Sequence, residues 1–239
     1  MRRAAISTRR MSEFAAVVLT AAALVLLLNP HSAAAPAARF PNPAMDVLPG
    51  DGRDQNAVFA GGCFWCTEAV FEHLAGVKKV VSGFAGGDAA TAHYDMVSAG
   101  GTGHAESIRI SFDPAKITYG QLLKVFFSVA HDPTQLNRQG PDYGRQYRSA
   151  IFYHTDEQKK VAEAYVRQLE QARVFAAPIV TEITPLKGFY PAEAYHQDFV
   201  AHHPTHPYVV ANSLPKLEKL RKLYPELLAG PSSVSQKRK

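Results

Sequence analysis

The chain has 239 residues, a formal net charge of +5, 46% hydrophobic residues and only two cysteines. Of that charge, residues 1–35 carry +3 and the remainder carries +2. No arginine-aromatic interleaving of the kind that binds single-stranded nucleic acid is evident, so we expect no nucleic-acid partner. Two cysteines are also too few for a disulfide scaffold, and the mature chain is long enough for one domain with a real core.

The N-terminus predicts a signal peptide over residues 1–35. Four arginines precede an uncharged apolar run from Phe14 to Leu28, and small residues follow it in "HSAAAPAA". This order is typical of secretory signals, and the run is shorter than the ~20 residues that span a bilayer. We therefore expect an exported, periplasmic protein, with an uncleaved membrane anchor as the alternative. An exported compartment is oxidising, which matters for any thiol in the chain.

The elements that follow predict an α+β domain over residues 57–228, after a linker over 36–56 and before a disordered basic tail over 229–239. Apolar patterning predicts strands at 56–60, 77–87, 104–112, 149–154 and 178–183. Helices are predicted at 63–74, 118–130, 155–173, 192–200 and 214–228. The order up to residue 154 is that of a ferredoxin-like βαββαβ core, and the later helices form a C-terminal extension.

The third predicted strand carries a candidate acid. In "HAESIRISF" the residues alternate, so Glu106 shares a face with Ile108, Ile110 and Phe112. Burial on an apolar face raises the pKa of a carboxyl group, and only the neutral form of the group donates a proton. Glu106 could equally be an ordinary surface charge on an alternating strand.

The stretch "AGGCFWCTE" holds both cysteines, Cys63 and Cys66. Cys63 follows a strand and a Gly-Gly turn at the start of a predicted helix, where unpaired N–H groups stabilise a thiolate. Cys66 lies one turn later, so the two sulfurs can come into bonding range. A structural disulfide, half of a zinc site and a thioredoxin-like oxidoreductase remain open readings of this pair. The bulky Phe64-Trp65 spacer argues against the last of these.

Three motifs together resemble the A-type peptide methionine sulfoxide reductases. They are "GCFWCTEAVFEHLAGV", the run from Tyr94 to "TGHAES", and "HDPTQLNRQGPDYGRQYRSAIFY" at 131–153. The resemblance extends from about Ala57 to Leu228. It implies a two-layer α/β sandwich with a ferredoxin-like core, and thiol-dependent reduction of methionine S-sulfoxide, free or in oxidised proteins. It further implies that no prosthetic group is needed and that an external thiol such as thioredoxin is the reductant.

The same resemblance implies a role for each residue of the site. Cys63 would be the nucleophile, and Phe64 and Trp65 would line a pocket for the methyl group of the substrate. Glu106 would protonate the sulfoxide oxygen. The remaining members would hydrogen-bond that oxygen or orient the polar groups around it, namely Tyr94, Tyr147 and Asp142.

Regeneration is where this chain departs from many relatives, which carry glycine at the position of Cys66 and resolving cysteines near the C-terminus. No cysteine follows Cys66 here. We therefore hypothesise that Cys66 attacks the sulfenic acid of Cys63, with direct reduction by an external thiol as the rival.

Histidines late in the chain allow a metal-binding reading, from His196 and "HHPTHP" at 202–207. The acid-base chemistry needs no metal, and we expect none. We also expect a monomer, because the sequence shows no heptad repeat or apolar stripe.

Overall fold

Eight strands can be followed in the computed structural model, which describes residues 40–48 and 54–230. They are β1 (Gln55–Gly61), β2 (Val77–Ala85), β3 (Ala105–Phe112), β4 (Arg138–Gln139), β5 (Asp142–Tyr143), β6 (Ser149–Tyr153), β7 (Glu182–Pro185) and β8 (Phe189–Pro191). The predicted signal peptide and all of the predicted tail beyond residue 230 lie outside the described residues. Within the described ranges, no helix is both long and apolar enough to cross a membrane.

Six helices connect or follow these strands. They are α1 (Phe64–Glu72), α2 (Tyr94–Ser98), α3 (Tyr119–Val125), α4 (Asp156–Gln171), α5 (Phe199–His202) and α6 (Leu214–Leu223). A π-helical turn at Phe126–Ala130 continues α3, and another at Val209–Ser213 leads into α6. Thr118 and Thr155 cap α3 and α4 by accepting the backbone N–H groups of Gln121 and Gln158.

The strand order confirms the predicted ferredoxin-like core. Six strands form one sheet in the order β7-β6-β1-β3-β2-β8, and the central four are antiparallel to one another. In the βαββαβ unit made by β1, α1, β2, β3, α3 and β6, this is the fourth-first-third-second order of that fold. The two outer strands widen the sheet: β7 pairs parallel to β6, and β8 pairs antiparallel to β2.

The core lies between one face of the sheet and the helices α1, α3 and α4. Phe59 of β1 and Ile110 of β3 pack there with Phe71, Leu122 and other fully buried side chains of these helices. The opposite face carries a smaller cluster of mostly short side chains, among them Ala60, Ala85, Ala105 and Ala150. The alternation predicted for β3 is confirmed, since Ile108, Ile110 and Phe112 belong to the helix face and Ala105 to the other.

The described part of the predicted linker packs against the domain. The carboxylate of Asp46 accepts hydrogen bonds from the Thr118 hydroxyl and from the Gly120 N–H at the start of α3. The phenol of Tyr165 on α4 donates to the carbonyl of Pro41 at 3.0 Å. Strand β1 begins at Gln55, inside the predicted linker range. The ordered domain therefore includes segments on the N-terminal side of residue 57.

Three elements after residue 173 differ from the prediction. The strand predicted at 178–183 forms at Glu182–Pro185, because the Val180 N–H donates to Pro133 O rather than to the sheet. The helix predicted at 192–200 is interrupted at Asp198, whose φ is 54°. The helix predicted at 214–228 stops at Leu223 and is followed by a separate turn at Pro225–Leu227. Strand β8 was not predicted.

Candidate active site

The sharp turn after β1 places Cys63 at the end of the sheet. Gly62 has a φ of 86°, a left-handed value that favours glycine, and an added Cβ would lie 2.4 Å from the side chain of Gln139. Cys63 is the N-cap residue of α1, and its carbonyl accepts the N–H of Cys66 at 3.2 Å. The Cys63 residue is 8% exposed. The predicted strand-turn-helix setting of this thiol is therefore present.

Glu106 meets the same helix end from strand β3. Its Oε2 accepts the backbone N–H of Phe64 at 3.0 Å, so a carboxyl group takes one of the free N–H groups of the first turn. Burial is the main cause that raises the pKa of Glu106 to about 8; the Phe64 hydrogen bond opposes the rise, and the charges of Asp142 and Cys66 contribute to it. The carboxyl group is therefore largely protonated at neutral pH and able to donate.

The two cysteines are free, buried thiols. Burial raises the pKa of Cys63, and its hydrogen bond to Cys66 adds to that effect. The pKa of Cys66 is instead lowered to about 6, first by the hydrogen bond from Cys63 and then by Lys216 and Ser213. The sequence suggested that the helix end would favour a thiolate at Cys63. In the folded protein burial instead raises the pKa of Cys63, and the charges of Cys66 and Glu106 oppose its ionisation as well.

An aromatic wall stands on one side of the sulfurs. The ring of Phe64 is fully buried, with its centroid 5.8 Å from Phe84 and 6.5 Å from Tyr94. Trp65 is half-buried and stacks on Phe199 at 3.7 Å with an interplanar angle of 7°. Its indole N–H donates to Nδ1 of His196 at 3.1 Å. The two rings predicted to form the methyl pocket therefore lie together, and the tryptophan is held on two sides.

His196 belongs to this wall. It is 1% exposed, and burial lowers its pKa, so the ring is neutral and Nδ1 accepts the indole N–H. His202, His203 and His206 are exposed, and the ring of His206 lies edge-on to Trp65 with centroids 6.4 Å apart. Across residues 40–48 and 54–230, no group of three or more His, Cys, Asp or Glu side chains could hold a metal ion.

Polar side chains complete the site. Asp142 of β5 accepts a hydrogen bond from the phenol of Tyr208. Burial raises the pKa of Tyr147, and the charges of Glu106 and Asp142 raise it further. Burial likewise raises the pKa of Tyr94, with Glu106 and Cys63 contributing. Both phenols therefore stay protonated, and both interact with the groups around Glu106. The structure thus brings together all of the residues predicted for the site.

A small cavity of about 60 Å³ opens onto the sulfurs. Its lining consists of Cys63, Cys66, Gln139, Gly140, Pro141, Asp142, Tyr208, Asn212 and Lys216. A larger groove of about 660 Å³ lies between residues 45–48, 54–56 and 154–161, and none of the predicted site residues lines it. The small cavity is the relevant one, because both cysteines and Asp142 line it.

Arg148 fixes the two loops that carry the polar groups. Its guanidinium donates to the carbonyls of Gly103 at 3.0 Å and His104 at 3.1 Å, next to β3, and to Arg145 O at 3.0 Å, next to Tyr147. It also pairs with Glu182 at 3.0 Å. This buried fork therefore ties the strand of Glu106 to the turn of Tyr147.

Sequence reasoning missed the contribution of the C-terminal segment. Tyr208, Asn212 and Lys216 line the cavity, and Ser213 lies 3.1 Å from Cys66 Sγ through its hydroxyl. The spacing of four residues places the first three on one helical face, and that spacing was the available signal. The hydrogen bond of His196 to Trp65 is not predicted from the sequence either, where His196 is a candidate only for a metal site.

Comparison with known proteins agrees with this geometry. The family model described as peptide methionine sulfoxide reductase matches residues 55–227. The chain belongs to the A-type peptide methionine sulfoxide reductase family. Peptide methionine sulfoxide reductase MsrA 2 of Synechocystis sp. is 56% identical over 81% of this chain and 92% of the relative. MsrA of Thermus thermophilus is 52% identical over 73% of this chain and 98% of the relative.

Solved structures of this family share the fold. Reduced Mxr1 from Saccharomyces cerevisiae superimposes with a TM-score of 0.58 at 33% identity, covering 66% of this chain and 91% of the yeast chain. Methionine sulfoxide reductase A of Corynebacterium diphtheriae gives a TM-score of 0.57 at 33% identity, covering 72% of this chain and 87% of its own. As a member of this family, the chain is a peptide-methionine (S)-S-oxide reductase that repairs oxidised methionine with thiols and needs no prosthetic group.

Proposed function

We propose that Cys63 is the nucleophile and Glu106 the acid in the reduction of methionine S-sulfoxide by this chain. The observation that carries the proposal is the hydrogen bond from Phe64 N–H to Glu106, next to Cys63, because it holds a protonated carboxyl group beside the thiol. A sulfoxide oxygen is a poor leaving group, and protonation makes attack at its sulfur feasible.

In the first step, the sulfur of Cys63 attacks the sulfoxide sulfur as its own proton passes to the neighbouring Cys66 sulfur. Glu106 gives its proton to the sulfoxide oxygen, which transfers to Cys63. As the oxygen moves to the Cys63 sulfur, its bond to the substrate sulfur breaks together with the sulfur-sulfur bond that the attack formed. Methionine leaves, and Cys63 becomes a sulfenic acid. Tyr94 and Tyr147 donate hydrogen bonds to the oxygen without adding charge, and Asp142 orients the polar groups of the site.

Phe64 and Trp65 bind the methyl group of the substrate in this proposal. An apolar wall selects a small apolar substituent on sulfur, and aromatic rings make favourable contacts with sulfur itself. The stacking of Trp65 on Phe199 and its hydrogen bond to His196 fix the position of one ring. A wall held on one side of the sulfur also distinguishes the two epimers of the sulfoxide.

In the second step, Cys66 attacks the sulfenic sulfur of Cys63. A disulfide bond forms, the sulfur-oxygen bond breaks, and the hydroxide takes up a proton to leave as water. Support comes from the absence of any other cysteine in the chain and from the position of both cysteines in the lining of one small cavity. A thioredoxin-like protein then reduces the disulfide. Direct reduction of the sulfenic acid by an external thiol is the competing route.

We further propose that the protein acts outside the cytoplasm, as a monomer, on oxidised proteins of the cell envelope. The arginine-rich start and the apolar run over residues 14–28 support export. An intact-mass measurement on exported protein tests cleavage, and a mass that begins at Met1 would contradict it. Light scattering in the reduced state tests the monomer.

The activity is tested with dithiothreitol and a racemic methionine sulfoxide peptide, by following each epimer separately. We expect the S epimer to be consumed and the R epimer to remain, and Cys63→Ser to abolish the consumption. Cys66→Ser keeps the nucleophile but removes the thiol that accepts its proton, so we expect this variant to consume the S epimer more slowly without losing the activity. Reduction of insulin disulfides without loss of either epimer would instead indicate a thiol-disulfide oxidoreductase.

A further inference from the structure

The segment that leads into α6 contacts the Cys66 sulfur directly. The hydroxyl of Ser213 lies 3.1 Å from Cys66 Sγ, and Ser213 is fully buried. A buried serine hydroxyl needs a partner, and a thiolate is a good acceptor for it. The contact joins residues that are 147 positions apart in the chain, so it exists only in the folded protein.

Lys216 brings a positive charge to the same cavity. It lies almost one helical turn after Ser213 and lines the cavity that holds both sulfurs. Its ammonium donates to Ala130 O at 2.7 Å, and this bond fixes the end of a long flexible side chain. A fixed cation next to a desolvated thiol favours its ionised form.

We propose that Ser213 and Lys216 are positioning residues that hold the Cys66 sulfur as a thiolate for its attack on the oxidised Cys63. The inference rests on the proposed role of Cys66 as the resolving thiol. In this chain the C-terminal segment supplies no resolving cysteine, but it supplies the hydroxyl and the charge that activate an internal one.

Lys216 favours the ionised form of Cys66, which is the form that the second step requires. Cys66 takes up the Cys63 proton in the first step and must lose it before it can attack the sulfenic acid. Other groups also face the Cys66 sulfur. Cys63, Tyr208 and Asp142 line the same cavity, and the carboxyl group of Glu106 interacts electrostatically with Cys66. Lys216 is the one cation among these described neighbours, so its removal should raise the pKa of Cys66.

The test begins with Cys63→Ser protein, in which Cys66 is the single remaining thiol. Ultraviolet absorbance of the thiolate, followed against pH, gives the ionisation midpoint of Cys66 without requiring access of a reagent. We expect Lys216→Met to move this midpoint to higher pH, Ser213→Ala to move it in the same direction, and Lys216→Arg to restore it. Lys222→Met is the matched control, since it removes a lysine that is 77% exposed on the same helix.

The second arm uses enzymes that retain both cysteines. After one turnover without reductant, acid quenching and mass spectrometry follow the Cys63–Cys66 disulfide separately from methionine release. In Lys216→Met we expect disulfide formation at mildly acidic pH to fall roughly tenfold relative to methionine release, because each unit of pKa increase removes about nine-tenths of the thiolate. Lys216→Arg should recover most of the rate, because it restores the positive charge although it changes the shape of the side chain. A purely structural role of Lys216 would not predict this recovery.

The outcomes separate the two proposals. A wild-type enzyme that forms no Cys63–Cys66 disulfide overturns the role of Cys66 and this inference with it. A wild type that does form the disulfide, with Lys216→Met unchanged in both the titration midpoint and the disulfide rate, overturns this inference alone. If Lys216→Met does not fold, Ser213→Ala is measured in both arms against the same criteria.

Discussion

The backbone N–H of Phe64 donates a hydrogen bond to the carboxyl group of Glu106 at 3.0 Å. This contact joins the first turn of α1 to strand β3 across 42 positions of the chain. It brings the acid to the end of α1 at which Cys63 is the N-cap residue. The proton donor and the nucleophile therefore both lie at the N-terminus of this helix. The reactivity of the site depends on this carboxyl group remaining neutral.

Glu106→Gln should therefore remove the proton donor while retaining the size of the side chain. Because an amide cannot protonate the sulfoxide oxygen, we expect a loss of about 10²–10⁴-fold in the rate of methionine release. The measurement is single-turnover kinetics with methionine S-sulfoxide. Glu157→Gln, on the exposed first turn of α4, is the matched control, and its rate should equal that of the wild type. An unimpaired Glu106→Gln enzyme would show that Glu106 is not the acid.

The pH dependence of the first step should follow the same carboxyl group. Burial raises the pKa of Glu106 to about 8, so the proton is present at neutral pH and is lost as pH rises through that value. We expect the rate of methionine release in single turnover to fall on the alkaline side of about pH 8. Glu106→Gln should lack this alkaline limb. A wild-type rate that keeps rising well above pH 8 would contradict the assignment.

The hydrogen bond from Trp65 to His196 should position the methyl pocket. His196→Leu leaves the indole N–H without its acceptor, which costs roughly 1 kcal/mol or more. We expect a higher KM for methionine sulfoxide and weaker discrimination against a substrate with an ethyl group on sulfur. Trp65 is the only tryptophan, so its fluorescence reports the change directly. His202→Asn, at an exposed site, should alter neither property, and unchanged fluorescence in His196→Leu would indicate that the bond is not formed.

Glu68 should make the fold less stable at alkaline pH. Burial raises its pKa to about 9, with the charges of Glu72 and Asp198 adding to the rise. A raised folded-state pKa stabilises the fold fully below the unfolded pKa, and that contribution is lost as pH rises through about 9. Glu68→Gln should reduce this loss, so its free energy of unfolding relative to wild type should improve from pH 6 to pH 9. Urea titrations at both pH values measure the difference, and a difference independent of pH would contradict the shift.

The sequence predicts the site residues that lie on regular strands and helices. The alternation of β3 placed Glu106 on the apolar face, and the Gly-Gly turn placed Cys63 at a strand-to-helix junction. Tyr208, Ser213 and Lys216 were not predicted, because they approach the sulfurs from a π-helical turn and a helix more than 140 positions away. The sequence also does not predict which of the two thiols ionises more readily. Their ionisation depends on which sulfur the folded chain desolvates and which one receives the hydrogen bond.

The later strands also depend on contacts between residues that are distant in the sequence, which local patterns do not show. The apolar run at 178–183 predicted a strand, but the register of β7 is set by its parallel pairing with β6. Strand β8 has only three residues, and its pairing with β2 could not be inferred from so short a pattern. Local periodicity predicts an element only where burial on one face repeats along it.

The central claim is that Cys63 is oxidised by the substrate and Cys66 then closes a disulfide with it. Its most direct test is one turnover of the reduced enzyme with methionine S-sulfoxide and no reductant, followed by intact mass and thiol counting. We expect one methionine per chain, loss of both thiols and a mass lower by two hydrogens, whereas Cys66→Ser should retain a Cys63 sulfenic acid. A wild-type chain that releases methionine but keeps the Cys66 thiol free and the sulfenic acid intact would contradict the account.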